Sequence, residues 1–287
     1  MTIEEHTMSE FIRSISKRLP PFVLGAVIFS AALGSAQADT LGDIKSKGTL
    51  LVVTEMQYPP FDFMENGVYT GFNKDLLDEV GKEIGVKVQY RDLPWTSILS
   101  GLDAKKFDFV GAPINATKER MARYSFSSPF AFSGNSFIKK TGNAAIGKPE
   151  DFSGLRVGVM KASSVQKQAL KFSETLPKPM DIREYTDINQ IYADIANGRL
   201  DGGASTAPNV AYAAAKRPDI LQVVDPSFGA PVYYGWITRS DKEDDTLIAA
   251  VSGALATIIS DGRMATIQKK WFGRTETLPT TMPEPLI

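Results

Sequence analysis

The chain has 287 residues, with 32 Lys and Arg against 33 Asp and Glu, no cysteine and one histidine, His6. Charges of both signs are balanced and dispersed, without the basic stripe that nucleic-acid binding requires, so no nucleic-acid partner is expected. Without cysteine there is no thiol nucleophile, disulfide, Cys-held metal or lipid-modified cysteine, and beyond His6 no histidine ligand or base, so no metal or cofactor is expected.

Residues 1–38 read as an export signal. Arg13, Lys17 and Arg18 form a basic region, Phe22–Leu33 is a mostly apolar stretch, and Ala36-Gln37-Ala38 is a small-residue cleavage site before Asp39. Met8 is a second candidate start, because the lead-in before it is acidic at Glu4 and Glu5. The apolar stretch is short for a membrane span, and no later run approaches about 18 apolar residues. The expected mature protein starts near Asp39, takes His6 away with the signal, and is soluble. Without a lipid anchor it needs an outer barrier to retain it, which points to a periplasm.

From there strand-like and helix-like patterns alternate. Thr49–Thr54 is an apolar strand, Leu76, Leu77, Val80 and Ile84 form one helical stripe, and Val86–Tyr90 is a strand. A helix over about Thr96–Ala104 and a strand over Phe107–Ala112 follow. After a Gly/Lys/Pro-rich stretch, Thr141–Pro149, the alternation restarts with strand Arg156–Met160, helix Ser163–Lys171, strand Ile182–Tyr185 and helix Asp187–Asn197. Strand Asp201–Ser205, a helix from Pro208, strand Val232–Thr238 and two helices complete the chain. In the first of these last two, Leu247, Ile248, Val251, Leu255, Ile258 and Ile259 share a face.

Repeated β-α-β units predict an α/β fold of mostly parallel sheets with helices on both faces, and two such runs predict two lobes. Ligands of open α/β sheets bind beyond the carboxyl ends of the strands. Here those ends are Glu55–Tyr58, Leu93–Trp95, Pro113–Thr117, Lys161–Ser164 and Thr206–Asn209, which together outline a cleft. In Ala112–Phe130 a polar turn, the cap-forming Thr117 and Arg120 follow a buried strand, an arrangement suited to a small carboxylate. The plain alternative is a strand–turn–helix with a surface arginine.

The motifs resemble those of the bacterial extracellular solute-binding proteins of the polar amino-acid type (family 3), the binding components of ABC importers. In order these are Tyr58-Pro59-Pro60-Phe61, Gly71-Phe72 with Asp75-Leu76, Trp95 ahead of Ile98-Leu99 and Leu102, and Asp108. Thr117-Lys118-Glu119-Arg120, Phe126-Ser127-Ser128-Pro129-Phe130, Asp151-Phe152 with Gly154, Val157-Gly158-Val159 and Lys270-Trp271-Phe272-Gly273 follow. The resemblance implies a two-lobe periplasmic-binding-protein clamshell of type II. Lobe 1 would comprise 39–130 and 233–287 and lobe 2 would be inserted as 131–232, with hinge strands near Phe130–Ser136 and Val232–Gly235. It also implies a monomer that delivers its ligand to the membrane subunits of an ABC importer.

Carried over residue by residue, Arg120 matches the arginine that grips the ligand's α-carboxylate, and Asn115 a position whose backbone N–H shares it. Pro113 matches a position whose carbonyl meets the ammonium, which proline can still do. Tyr58 and Trp95 match aromatic walls, Glu55 an acidic position near the ligand side chain, and Ser163 and Ser164 hydroxyl donors of lobe 2. Tyr58 and Trp95 could equally be core aromatics, Glu55 a solvated strand end, and Lys161, at another strand end, an exposed lysine. One departure stands out. Thr206 occupies the position where the family usually has an aspartate for the ligand's ammonium, downstream of Gly198-Arg199-Leu200-Asp201. Losing that charged bond is worth about 1.5–3 kcal/mol. Either Glu55 substitutes, or the ligand is an N-substituted amino acid such as an opine, a sugar–amino-acid conjugate, or an acid without an amine. Alternative functions are a periplasmic dehydratase on the same fold and a ligand-sensing input protein.

Overall fold

The computed structural model describes residues 39–287; residues 1–38, read above as an export signal, lie outside the described residues. The first strands are β1 (Thr49–Thr54), β2 (Gln57–Tyr58), β3 (Asp62–Glu65), β4 (Val68–Thr70), β5 (Lys87–Asp92), β6 (Val110–Asn115) and β7 (Tyr124–Phe126). They are followed by β8 (Ala131–Lys140), β9 (Arg156–Met160), β10 (Asp181–Tyr185), β11 (Gly202–Thr206) and the long β12 (Leu221–Arg239).

Nine strands form one hydrogen-bonded sheet in the order β10-β9-β11-β8-β12-β6-β1-β5, with β7 also on β12. The outer strands of each half are parallel: β1 with β5 and β6, and β9 with β10 and β11. The expected parallel α/β halves are therefore present, and β8 and β12 join them as an antiparallel pair. The register between these two strands shifts between Val224 and Phe228 and again between Phe228 and Val232, bending the ribbon where the halves meet.

Apolar side chains divide the same way. One pair of clusters, which includes Val52, Phe72, Phe109, Trp236 and Val251 and, separately, Ile98, Val110 and Ile237, belongs to the β5–β1–β6 lobe. Another pair, with Phe137, Phe152 and Val159 and with Ile138, Ile191 and Tyr192, belongs to the β10–β9–β11 lobe. Trp95 packs against a cluster of each lobe.

Local sequence sets the elements around the cleft. Helix Phe72–Ile84 buries Leu76, Leu77 and Val80 as its stripe predicts. It begins at Gly71, whose φ of 139° and an absent Cβ that would lie 2.0 Å from the Phe61 carbonyl oxygen leave glycine as the fitting residue. Helix Asp245–Ser260 buries Leu247, Ile248, Val251, Leu255 and Ile258, whereas Ile259 is 38 % exposed, one position past the edge of the face. The strand expected at Phe107–Ala112 lies three residues later; Phe107 and Phe109 are buried ahead of it in the core, with the Phe109 carbonyl accepting the Val53 N–H at 3.3 Å. The small sheet β2-β3-β4 turns at Asn66-Gly67, both with positive φ, as a tight hairpin turn requires. Among the described residues no single helix is long and apolar enough to cross a membrane.

Candidate functional site

Strand β6 delivers Pro113 and Asn115 to the cleft, and the short helix after it delivers Arg120. Thr117 accepts the Arg120 backbone N–H on its hydroxyl at 3.3 Å, capping the short helix Lys118–Met121. The Arg120 side chain, 9 % exposed, turns inward. One of its terminal nitrogens donates to the Asn115 carbonyl at 3.2 Å, and its Cζ lies 5.2 Å from the Trp95 ring centroid. Among the described residues no carboxylate forms an ion pair with it: the neighbouring Glu119 is exposed and pairs with Lys167. Burial lowers the guanidinium to about 10, so it remains charged at neutral pH. A buried cation with one hydrogen bond and an aromatic face leaves most of its donors for a guest anion.

Trp95 is the first residue of helix Trp95–Asp103, which follows Pro94 and has no side-chain cap of its own at that position. Glu55, at the end of β1 and 8 % exposed, meets the Trp95 backbone N–H instead. Burial pushes the Glu55 carboxyl up to about 7 against the lowering effect of that hydrogen bond, and Asp187, Asp92 and Asp62 push it in the same direction as burial. Tyr58 stacks on Phe61 with centroids 6.0 Å apart, and burial raises its phenol.

The second lobe closes directly onto these groups. The Tyr58 hydroxyl and Thr206 Oγ1 are 2.5 Å apart, and Asn115 Nδ2 donates to Ser164 Oγ at 2.5 Å. Asn209 Nδ2 donates to the Pro59 carbonyl at 2.6 Å. Farther out, Lys167 meets Glu119, and the Phe63 and Tyr212 rings lie 5.5 Å apart. Thr206 occupies the N-cap position of helix Ala207–Lys216 without bonding its amides, which leaves its hydroxyl for Tyr58. Ser163 Oγ accepts the Gln166 backbone N–H at 3.0 Å as a helix cap, which leaves its hydroxyl proton to donate and one lone pair to accept.

The cavity between the lobes is lined by Glu55, Tyr58, Trp95, Pro113, Asn115, Arg120, Ser163, Ser164 and Thr206, the nine candidates from the sequence. Ala112, Met160, Val165 and Tyr234 also line it and escaped sequence reasoning. Tyr234 lies on the segment read as a hinge strand, where period-two alternation cannot say which face meets the cleft. Its buried hydroxyl completes no hydrogen bond of ordinary geometry, although Thr206, Ser133 and Tyr58 are near it. Asn115 Oδ1 is likewise buried without a partner. Lys161 pairs with Glu184 at 3.2 Å and is not on the cavity wall. Among the described residues no three or more His, Cys, Asp or Glu side chains gather to hold a metal.

A buried, unpaired cation facing aromatic and hydroxyl walls between two closing lobes defines a site for a small organic anion. Residues 50–274 match the model of the bacterial extracellular solute-binding proteins, family 3, and the chain belongs to that family. It is 30 % identical over 240 residues to the L-cystine-binding protein TcyJ of Escherichia coli (strain K12), covering 83 % of this chain and 88 % of the relative. Among solved structures, the ancestral amino acid-binding protein AncCDT-1, described as a precursor of cyclohexadienyl dehydratase, is 33 % identical with a TM-score of 0.74, covering 82 % of this chain and 100 % of that one. The arginine-, lysine-, histidine-binding protein ArtJ of Geobacillus stearothermophilus is 29 % identical with a TM-score of 0.73, over 80 % of this chain and 97 % of that one.

Proposed function

We propose that this protein captures an amino acid or amino-acid derivative in the periplasm, as a soluble monomer without a lipid anchor, and delivers it to the membrane subunits of an ABC importer. The observation that carries this reading is Arg120, buried on the wall of the cleft, charged, and without an anionic partner among the described residues. A planar carboxylate can take two parallel bonds from it. Tyr58 and Trp95 then hold the ligand stem, and Asn115, Ser163, Ser164 and Thr206 supply polar contacts from both lobes. Lobe 1 comprises 39–130 and 233–287 and lobe 2 comprises 131–232, hinged where β8 starts and β12 bends. Closure follows from contacts to both lobes, since a ligand shifts a conformational equilibrium only by its differential affinity.

Thr206 narrows the ligand. With Tyr58 and Tyr234 it makes an uncharged hydroxyl wall, which suits a substituted or absent α-amine, as in opines, sugar–amino-acid conjugates or hydroxylated acids, better than a bare ammonium. The test is a thermal-shift screen of refolded, ligand-free protein against amino acids, opines, sugar conjugates and organic acids. A ligand at about a thousandfold excess over Kd stabilises by about 4 kcal/mol. The reading expects carboxylates alone to shift the transition and Arg120→Ala to lose the shift; an undiminished shift in that variant refutes it. One observation, a buried Glu55 with a pKa of about 7 in the cleft, favours a second reading as a dehydratase acid or base. Turnover of a bound carboxylate, lost in Glu55→Gln, would establish that reading.

A further inference from the structure

Residues 275–287 lie beyond the family match and outside both the ligand-cavity wall and the sheet. Pro279, Pro283 and Pro285 fall in this segment, and it contains no Lys or Arg. Proline fixes φ and supplies no N–H, so such a segment stays extended and joins no ladder. It forms neither helix nor strand, yet it is fastened at successive points. The Glu276 backbone N–H donates to the buried Gln268 side chain at 2.9 Å. Ser128 Oγ donates to the Thr280 carbonyl at 2.7 Å. Met282 lies over Gly235 of β12, its Cε 2.7 Å from where a Cβ would be. At the far end the Ile287 carbonyl accepts the Lys118 backbone N–H at 2.6 Å.

Between Met282 and Ile287 the segment crosses the hinge. Pro283, Pro285 and Leu286 share a groove with Phe132 at the start of β8 and with Pro231 and Tyr233 where β12 bends. Its end then meets the cleft from outside. Lys118 is the first residue of the short helix that carries Arg120. Leu286 and Ile287 border a second cavity with Arg120 and Arg123 on one side. On the other side stand Ser164, Lys167 and Lys171 of helix Ser164–Ser173, in the opposite lobe. Arg120 and Ser164 line the ligand cavity as well, so the two spaces meet at those residues.

The anchors at Thr280, Met282 and Ile287 are thus all on the lobe that holds Arg120, while the ground under Pro283–Leu286 is the ribbon on which the other lobe swings. We propose that residues 275–287 are a strap over the hinge, which favours the closed arrangement of the lobes and keeps the Arg120 helix seated. This rests on the lobe division and hinge proposed above, and holds whatever the ligand. With lobe 2 swung away, Phe132 and Pro231 leave the underside of the strap, and the wall of Lys167 and Lys171 leaves its end. Contacts made only in the closed arrangement favour that arrangement. The prolines suit the task, since a stiff chain loses little entropy when it is laid down.

Lys118→Pro isolates the bond at the end of the strap. At the first helical position proline's fixed φ fits and its missing N–H is tolerated, and Thr117 ahead of it is already extended, as a residue before proline must be. The bond lost is the one to Ile287. A second variant ends the chain after Pro283 and keeps the Thr280 and Met282 anchors. Asn209→Ala, which removes the lobe-to-lobe bond to the Pro59 carbonyl, is the control for the hinge itself. Ligand-free wild type and the three variants are compared by small-angle X-ray scattering, by hydrogen-exchange mass spectrometry over residues 117–123, and by thermal unfolding.

Both strap variants are expected to scatter as more open particles than wild type, with the open-to-closed ratio raised at least about fivefold, as for one hydrogen bond. Exchange over residues 117–123 should quicken by a similar factor. Wild-type scattering in both strap variants, while Asn209→Ala expands, overturns the strap and keeps the hinge. Wild-type scattering in all three removes the hinge reading and the strap with it. A lowered thermal transition with unchanged scattering marks a structural tether and refutes the proposal. None of these readouts contains a ligand, so the carboxylate reading is still decided by the thermal-shift screen.

Discussion

Replacing Arg120 by methionine should separate binding from stability, because the residue is held against the interest of the empty fold. The fall of its pKa from 12.5 to about 10 by burial corresponds to about 3 kcal/mol at about 1.4 kcal/mol per pH unit. Methionine removes that cost. It also removes the contact over Trp95, worth about 1 kcal/mol, and the bond to the Asn115 carbonyl, worth about 1.5 kcal/mol. The sum leaves the ligand-free protein equal in stability or up to about 1 kcal/mol more stable, where loss of a large buried side chain ordinarily costs about 2–5 kcal/mol. Binding should respond in the opposite direction, since truncating one partner of a buried charged pair costs about 2–5 kcal/mol, or at least about thirtyfold in Kd. Urea unfolding of ligand-free wild type and Arg120→Met gives the first quantity and calorimetric titration of a screen hit the second. A variant that is more than about 2 kcal/mol less stable yet binds normally would refute the reasoning.

Three further outcomes follow from the same physics. The Glu55 carboxyl is raised from 4.5 to about 7, so its contribution to stability is fully present below pH 4.5 and is lost as pH rises through 7. Asp62, whose carboxyl burial also pushes up to about 7, acts in the same window, so the Tm of ligand-free protein should fall between pH 5 and 8 and Glu55→Gln should lessen that fall without abolishing it; an unchanged slope would contradict the assignment. Gly71→Ala places a Cβ 2.0 Å from the Phe61 carbonyl at a φ of 139°, and should cost about 2–4 kcal/mol in urea unfolding. Asp244 is fully buried and pairs with the buried Arg239 at 3.0 Å. Arg239 keeps Asp108 and Asp241 as partners, so Asp244→Ala should cost about 1–3 kcal/mol and lower Tm by about 2 °C or more in calorimetry, without altering ligand specificity.

The nine candidate residues meet on one cavity because they lie in the last residues of strands or in the turns and first helical turns that follow, and strand ends in an α/β sheet share one edge. That geometry was legible from apolar runs alone. The helix stripe Leu76, Leu77 and Val80 was legible for the same reason. Side-chain roles were less so. Ser163 keeps its proton to donate, but its position ahead of a helix commits one of its two lone pairs to the Gln166 amide, a second role that the resemblance did not give. Tyr234 was hidden because β12 runs through both lobes for 19 residues, and its bends change which face is turned inward. The β2–β4 sheet had a readable signal, Asn66-Gly67, between strands too short to announce themselves by alternation. The resemblance implied a closing clamshell, but the contacts across it were not legible, since Tyr58–Thr206 and Asn115–Ser164 join residues 148 and 49 positions apart.

The most direct test of the carboxylate grip uses the best ligand from the screen together with its primary carboxamide. Both are titrated into wild type and Arg120→Met. The account predicts that wild type prefers the acid by at least about thirtyfold and that the variant binds acid and amide alike, both weakly. Wild-type protein that binds the amide as tightly as the acid would contradict it.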